Sequence, residues 1–304
     1  MRNLRSTILA VVCADVLGIS LLAGQQRGVV EPSIPTIRTD VDMVLVNVTV
    51  TDSRNRFVQG LTKNHFRIFE DRVEQDILSI SIDDAPISLG IIFDRSGSMG
   101  ETQKNSGPRI VDTRLSAYSC LKDGLRDDEY FLVEFSSTAQ VTRDVTNDPT
   151  RIKEGIVFAA AGGRTALWDA IYMGVAKMEQ GSHNRKALLV LSDGLENNSR
   201  YTLGQVKKAL LEQDVRIYST RSNALIDPLN GLSEMTGGAI LRSNFTCEEL
   251  RTDLRTQYVI AYRSTNRNKD GQFRKISVRL NPAGFPKAFP SLTVRAKEGY
   301  YAPQ

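Results

Sequence analysis

The chain has 304 residues, room for one large domain or two modest ones, and its 41% hydrophobic and 24% charged content is that of an ordinary soluble globular protein. Its 39 basic and 35 acidic side chains leave a net charge of +4 with no basic run interleaved with aromatics, which excludes nucleic acid as the expected partner. Two histidines, His65 and His183, lie far apart and leave little for a zinc site or a histidine relay.

Arg2 and Arg5 precede an apolar stretch from Ile8 to Leu22, and Ala23 and Gly24 close it before Gln25 and Gln26. A basic start, an apolar middle and a small-residue end predict a cleaved signal peptide over 1–24. The protein is therefore expected to be exported (periplasmic, at the cell surface or secreted), with no permanent membrane span after processing. Asp15 would place a carboxylate at mid-membrane in any retained anchor. Val12 stands before Cys13 where a lipoprotein signal wants a small residue. A polar, Pro-containing linker follows over 25–40.

From 41 to 85 the pattern has period two: Val44, Val46, Val48 and Val50 alternate with Leu45, Asn47 and Thr49, a strand with one buried face. Further short strands are read at Phe66 and Ile68 and at Ile77 to Ile82, with no helix between them, as in an antiparallel sandwich. From 86 to 256 the pattern changes. Leu89 to Phe93 is continuously apolar, as in a strand buried on both faces of a parallel sheet. A helix with Ile110, Leu115, Tyr118, Leu121 and Leu125 follows, then a strand at Tyr130 to Phe135, helices from Asp148 and Pro149 and over Leu167 to Met178, and a strand at Ala187 to Leu191. Leu203 to Leu211 reads as a helix, Val215 to Thr220 as a strand, Ser233 to Gly237 as a helix end, Gly238 to Leu241 as a strand and Glu248 to Arg255 as a helix. This alternation predicts a doubly wound, mostly parallel α/β sheet, with ligands beyond the carboxyl ends of its strands. From 257 to 304 strand character returns at Gln257 to Tyr262, Arg274 to Leu280 and Leu292 to Ala296. Pairing these with the first segment closes a small β-sandwich from both ends of the chain and makes the α/β domain an insertion.

Three loops carry the chemistry, each read as standing at a strand end: Asp94-Arg95-Ser96-Gly97-Ser98, Gly162-Gly163-Arg164-Thr165 and Ser192-Asp193-Gly194. Two carboxylates and several hydroxyls, without histidine or cysteine, suit a hard cation, magnesium first and manganese or calcium next. A divalent ion neutralises two aspartates and, short of a full ligand set, would accept a carboxylate oxygen from another protein. The other use of the serines is to cap the helix that follows. Arg95 and Arg164 lie inside these loops and are candidates for meeting an acidic partner. Trp168, just after the second loop, is expected in the core.

The Asp-x-Ser-x-Ser loop after a buried strand, then a lone threonine, then Ser-Asp-Gly, resembles the metal-ion-dependent adhesion site of von Willebrand factor A domains. Asp94, Ser96, Ser98, Thr165 and Asp193 all match its positions. The resemblance implies a Rossmann-like domain in which the two serines bind the metal directly, the threonine and aspartates bind it directly or through water, and a partner's acidic side chain completes the octahedron. It also implies a binding module rather than an enzyme. The flanks Asn47-Val48-Thr49-Val50-Thr51-Asp52, Gly60-Leu61-Thr62, Phe69-Glu70-Asp71, Gln257-Tyr258-Val259-Ile260-Ala261-Tyr262 and Gly299-Tyr300-Tyr301-Ala302-Pro303 look like those of VWFA-related proteins of the acidobacterial type.

Other readings fit less well. A haloacid-dehalogenase-type phosphatase wants a second aspartate two residues after the nucleophile as general acid, and Ser96 holds that place. A serine hydrolase lacks a base near Ser96 or Ser98, and the second loop lacks the Lys-Ser/Thr ending of a phosphate-binding loop. A metal-free structural module of the envelope is the alternative to the adhesion reading. Beyond the leader the cysteines are Cys120, on the apolar stripe of a helix, and Cys247, near the start of the last helix. Their expected separation exceeds the roughly 7 Å Cα limit for a bridge, so both thiols are expected free.

Overall fold

A computed structural model of the protein describes residues 43–82, 84–102, 107–122, 127–157, 159–220, 228–241, 247–285 and 291–304. The expected leader and linker lie outside the described residues. Among the described residues no helix is long and apolar enough to cross a membrane.

The first strand, β1 (Met43–Thr51), buries Val46, Val48 and Val50, as the period-two pattern predicts. After it come β2 (Phe66–Glu70), β3 (Val73–Gln75) and β4 (Ile77–Ile82). The last part of the chain supplies β11 (Tyr258–Arg263), β12 (Phe273–Leu280), β13 (Thr293–Ala296) and β14 (Gly299–Tyr301). These eight strands form two antiparallel sheets, in the orders β13-β1-β11-β4 and β14-β12-β2-β3. Each sheet mixes strands from both ends of the chain: Met43 faces Arg263 and Val48 faces Tyr258 along β1 and β11, and Ile68 faces Val278 along β2 and β12. Val46, Val48, Phe66, Ile68, Tyr258, Ile260, Tyr262 and Ile276 form one core between the sheets. The buried carboxylate of Glu70 accepts hydrogen bonds from Tyr262 Oη at 2.6 Å, Tyr300 Oη at 3.0 Å and Ser264 Oγ at 2.5 Å, pinning β2 to β11 and β14.

Between these halves run β5 (Ile87–Asp94), α1 (Arg109–Lys122), β6 (Glu129–Phe135), β7 (Ala139–Thr146), α2 (Pro149–Val157), α3 (Leu167–Met178), β8 (Arg185–Leu191), α4 (Leu203–Glu212), β9 (Val215–Thr220), α5 (Pro228–Thr236), β10 (Ala239–Leu241) and α6 (Cys247–Arg255). They build a six-stranded sheet in the order β10-β9-β8-β5-β6-β7, parallel except where β7 runs against β6. All eight residues of β5 are buried, because parallel neighbours flank it and helices cover both faces. Ile87, Leu89, Ile91 and Phe93 pack with residues of α1, α2 and α6 on one face, and Ile92 packs with residues of α3, α4 and α5 on the other. Trp168 is buried among the latter, as expected.

β3, β7 and β14 were not anticipated. β7 is a half-exposed edge strand whose sequence, Ala-Gln-Val-Thr-Arg-Asp-Val-Thr, carries little apolar signal, and β3 and β14 span three residues each. The expectation of free thiols is overturned for Cys120, which is disulfide-bonded. It rests on placing Cys120 well down the first helix, away from the loop edge, and Cys247 at the start of the last helix, close to that edge. Instead the two helices pack together: Arg251 in α6 donates to the backbone carbonyl of Cys120 at 3.0 Å, and α6 opens at Cys247. The far end of α6 is also held, with Arg185 donating to the Leu254 carbonyl and Arg255 pairing at 2.6 Å with the fully buried Asp128.

Candidate functional site

Asp94 is the last residue of β5, and its buried position at the carboxyl end of a central strand fixes the site's floor. The backbone N–H of Ser96 turns back to Asp94 Oδ1 at 2.7 Å, closing the first loop over the strand end. Ser96 stands at the N-cap position of a short 3-10 turn, Gly97–Gly100, yet its hydroxyl makes no capping bond. It shares a hydrogen bond with Ser98 Oγ at 3.1 Å, so both hydroxyls gather on one side of the loop.

The second loop departs from expectation. It follows no strand, because it joins α2 to α3, and the rest of the chain brings it to the edge. The N–H groups of Arg164 and Ala166 donate to Ser137 Oγ and to the Ser136 carbonyl, just beyond the end of β6. Gly163 adopts a left-handed φ of +89°, and a Cβ there would lie 2.8 Å from Ser137 Oγ, so only glycine passes at this point. Thr165 is buried. The third loop follows β8 directly, as predicted, and turns at Gly194 with φ +79°.

Hydrogen bonds stitch the three loops together. Gly97 N–H donates to the Gly163 carbonyl at 3.0 Å and Gly162 N–H to the Arg95 carbonyl at 2.7 Å, joining the first loop to the second. Asn197 and Asn198 N–H both donate to the Thr165 carbonyl at 3.0 Å, and Thr165 N–H donates to Asn197 Oδ1 at 3.0 Å, joining the second to the segment after the third. Ser192 Oγ donates to Asp94 Oδ2 at 2.5 Å and joins the third to the first.

Burial raises the Asp94 carboxyl above the ordinary carboxylate range, against the hydrogen bonds from Ser192 and Ser96, and the nearby charge of Asp193 pushes the same way. Two carboxylates close enough to repel, together with neutral hydroxyls, form a donor set for a small hard cation. The described residues hold no cluster of three or more histidine, cysteine or acidic side chains able to bind a metal. The set here has two acids and depends on hydroxyls for the rest.

The structure adds residues that the motifs did not point to. Ser192 holds Asp94 in place. Arg109, the first residue of α1, donates to Asp193 Oδ2 at 3.1 Å and lies 3.8 Å from Glu101 Oε2. Only its fold position reveals it, since it lies outside all three loops. Of the arginines in the loops, Arg95 pairs at 3.2 Å with the buried Glu134, and Arg164 Nη1 reaches Asn198 Oδ1 at 3.4 Å.

Comparison with known families fits this assembly. Residues 89–196 match the von Willebrand factor type A domain. The von Willebrand factor type A match begins in β5 and ends just past the third loop, so it contains all three loops. Among solved structures the chain is similar to the conserved hypothetical protein BatB from Bacteroides thetaiotaomicron, with 21% identity over 44% of this chain and 65% of that one and a TM-score of 0.37. It is similar also to the vWF domain of the type V pili tip protein Mfa5 from Porphyromonas gingivalis, at 19% identity over 41% of this chain and 44% of that one, TM-score 0.33. A von Willebrand factor type A protein from Catenulispora acidiphila is 10% identical over 86% of this chain and 73% of that one, TM-score 0.45. No curated protein matches the chain.

Proposed function

We propose that the chain is an exported binding module in which Asp94, Ser96, Ser98, Thr165 and Asp193 hold one divalent cation, magnesium or a close substitute, and that the loaded edge captures an acidic side chain of a partner protein. The reading rests chiefly on one observation: three loops remote in sequence are hydrogen-bonded to one another around two mutually repelling carboxylates. Arg109 offsets part of this repulsion at Asp193, and a divalent cation between the two carboxylates would offset the rest. The serine hydroxyls bond to each other rather than to the following turn, which favours ligation over capping.

The bound ion would supply a Lewis-acidic centre for an incoming carboxylate. The residues of the chain do the rest. Asp94 and Asp193 provide the charge, the hydroxyls complete the set without adding more, and Ser192 keeps Asp94 oriented. Nothing in the arrangement builds a nucleophile, since His65 bonds to Thr62 and His183 to the Asp127 carbonyl, each engaged elsewhere. The Cys120 disulfide and the leader pattern both favour an oxidising, extracytoplasmic location.

The test is capture from envelope extract by the mature protein in magnesium, in chelator, and with Asp94→Ala. Retention of a protein only by wild type in magnesium is the expected result. Equal capture in all three arms contradicts the reading.

A further inference from the structure

We infer that Arg109 is a built-in competitor for the cation, pairing with Asp193 in the metal-free protein and displaced from it when a divalent ion binds. The inference rests on the metal reading of this edge.

The geometry is specific. Arg109 opens α1, where its backbone N–H is fixed by the Glu101 carbonyl at 3.2 Å. Its side chain turns back over the first loop, with Nη1 3.1 Å from Asp193 Oδ2, 3.5 Å from the Ser98 carbonyl and 3.8 Å from Glu101 Oε2. It thus bridges the first and third loops. The guanidinium is half-buried, at 31% exposure, and the Asp193 side chain is at 14%. A cation at the amino-terminal end of a helix opposes the helix dipole, so α1 gives this arginine no reason to sit where it does. The negative charge of Asp193 and Glu101 gives it one. Arg95 does not take that role, because it is turned to Glu134.

A divalent ion that ligates Asp193 must either displace the guanidinium or sit beside it, and both weaken binding. The pair therefore sets a threshold: it keeps the two aspartates tolerable in the absence of metal and lowers cation affinity. Once displaced, the arginine stands at the rim, beside the position an acidic partner would approach.

The experiment is manganese titration by calorimetry on wild type, Arg109→Ala and Arg109→Gln, with melting temperatures of each in chelator and in saturating manganese. The glutamine variant keeps a polar side chain at the position and removes only the charge. Both variants should bind manganese roughly three- to tenfold more tightly than wild type, the scale of a partly exposed ion pair that no longer has to be broken. They should melt lower than wild type in chelator and gain more on saturation, whereas a general folding defect lowers both values alike. Manganese binding only by the variants would support the inference most strongly. Binding by wild type with equal or weaker affinity in both variants overturns this inference and leaves the metal site standing. No binding by any of the three proteins overturns both.

Discussion

At the scale of single residues, Asp94 carries the clearest consequence of burying charge. Desolvation raises its carboxyl, and Asp193 adds to the effect, so the folded protein holds this proton more tightly than the unfolded chain does. Stability from this group is therefore fully present below the ordinary carboxylate range and is lost as pH rises through the raised value. In chelator, denaturant unfolding of wild type should show this decline as pH rises above the ordinary carboxylate range, and Asp94→Asn should flatten it. A slope unchanged by Asp94→Asn would show that the carboxylate is not strained. The same substitution should abolish any response to added cation, because an amide cannot replace the lost charge. Asp94, Ser96, Ser98 and Asp193 are proposed from loops that directly follow buried strands, where an α/β sheet puts its chemistry, whereas Thr165 is proposed from the motif alone, since its loop follows no strand. Arg109 cannot be read in this way, since its approach to Asp193 depends on how the chain enters α1.

At the scale of elements, β5 and β8 are legible from their continuous apolar runs, and β1 from its alternation. The second loop differs from its expected place at a strand end. It leaves a helix, and only its bonds to Ser136 and Ser137 bring it to the end of β6. The last helix was misjudged in a similar way. α6 lies along α1, and Cys120 is disulfide-bonded rather than free. On the denatured, unreduced protein Cys120 should therefore resist alkylation and become reactive only after reduction. Alkylation without reductant would contradict the disulfide at Cys120. Cys120→Ser should cost about 2–4 kcal/mol in unfolding free energy, the usual range for loss of a native bridge. A cost near zero would show that the fold does not need the bridge.

At the scale of the whole molecule, the residues from Val41 onward form one compact unit in which the sandwich and the α/β sheet share hydrogen bonds. Arg216, in β9, donates to the Asn47 carbonyl of β1 at 2.8 Å, Arg295 of β13 donates to the Gly238 carbonyl, and Glu298 N–H donates to the Met235 carbonyl of α5. The pairing of β1 with β11 closes the sandwich only after the inserted domain has been made, so the first strand waits for the last quarter of the chain. These shared contacts predict a single cooperative unfolding transition, in which stabilising the metal edge stabilises the whole. The central claim is that this edge binds a divalent cation, and the measurement that tests it most directly is scanning calorimetry of the protein with and without magnesium. A cation that binds only the folded state contributes about 2.7 kcal/mol at a hundredfold excess over its dissociation constant. For a protein of this size that raises the melting temperature by roughly 5 to 10 °C. The account predicts that rise in wild type, its reversal by chelator, and its loss in Asp193→Ala. A melting temperature indifferent to millimolar magnesium and manganese, in wild type and Asp193→Ala alike, would contradict it.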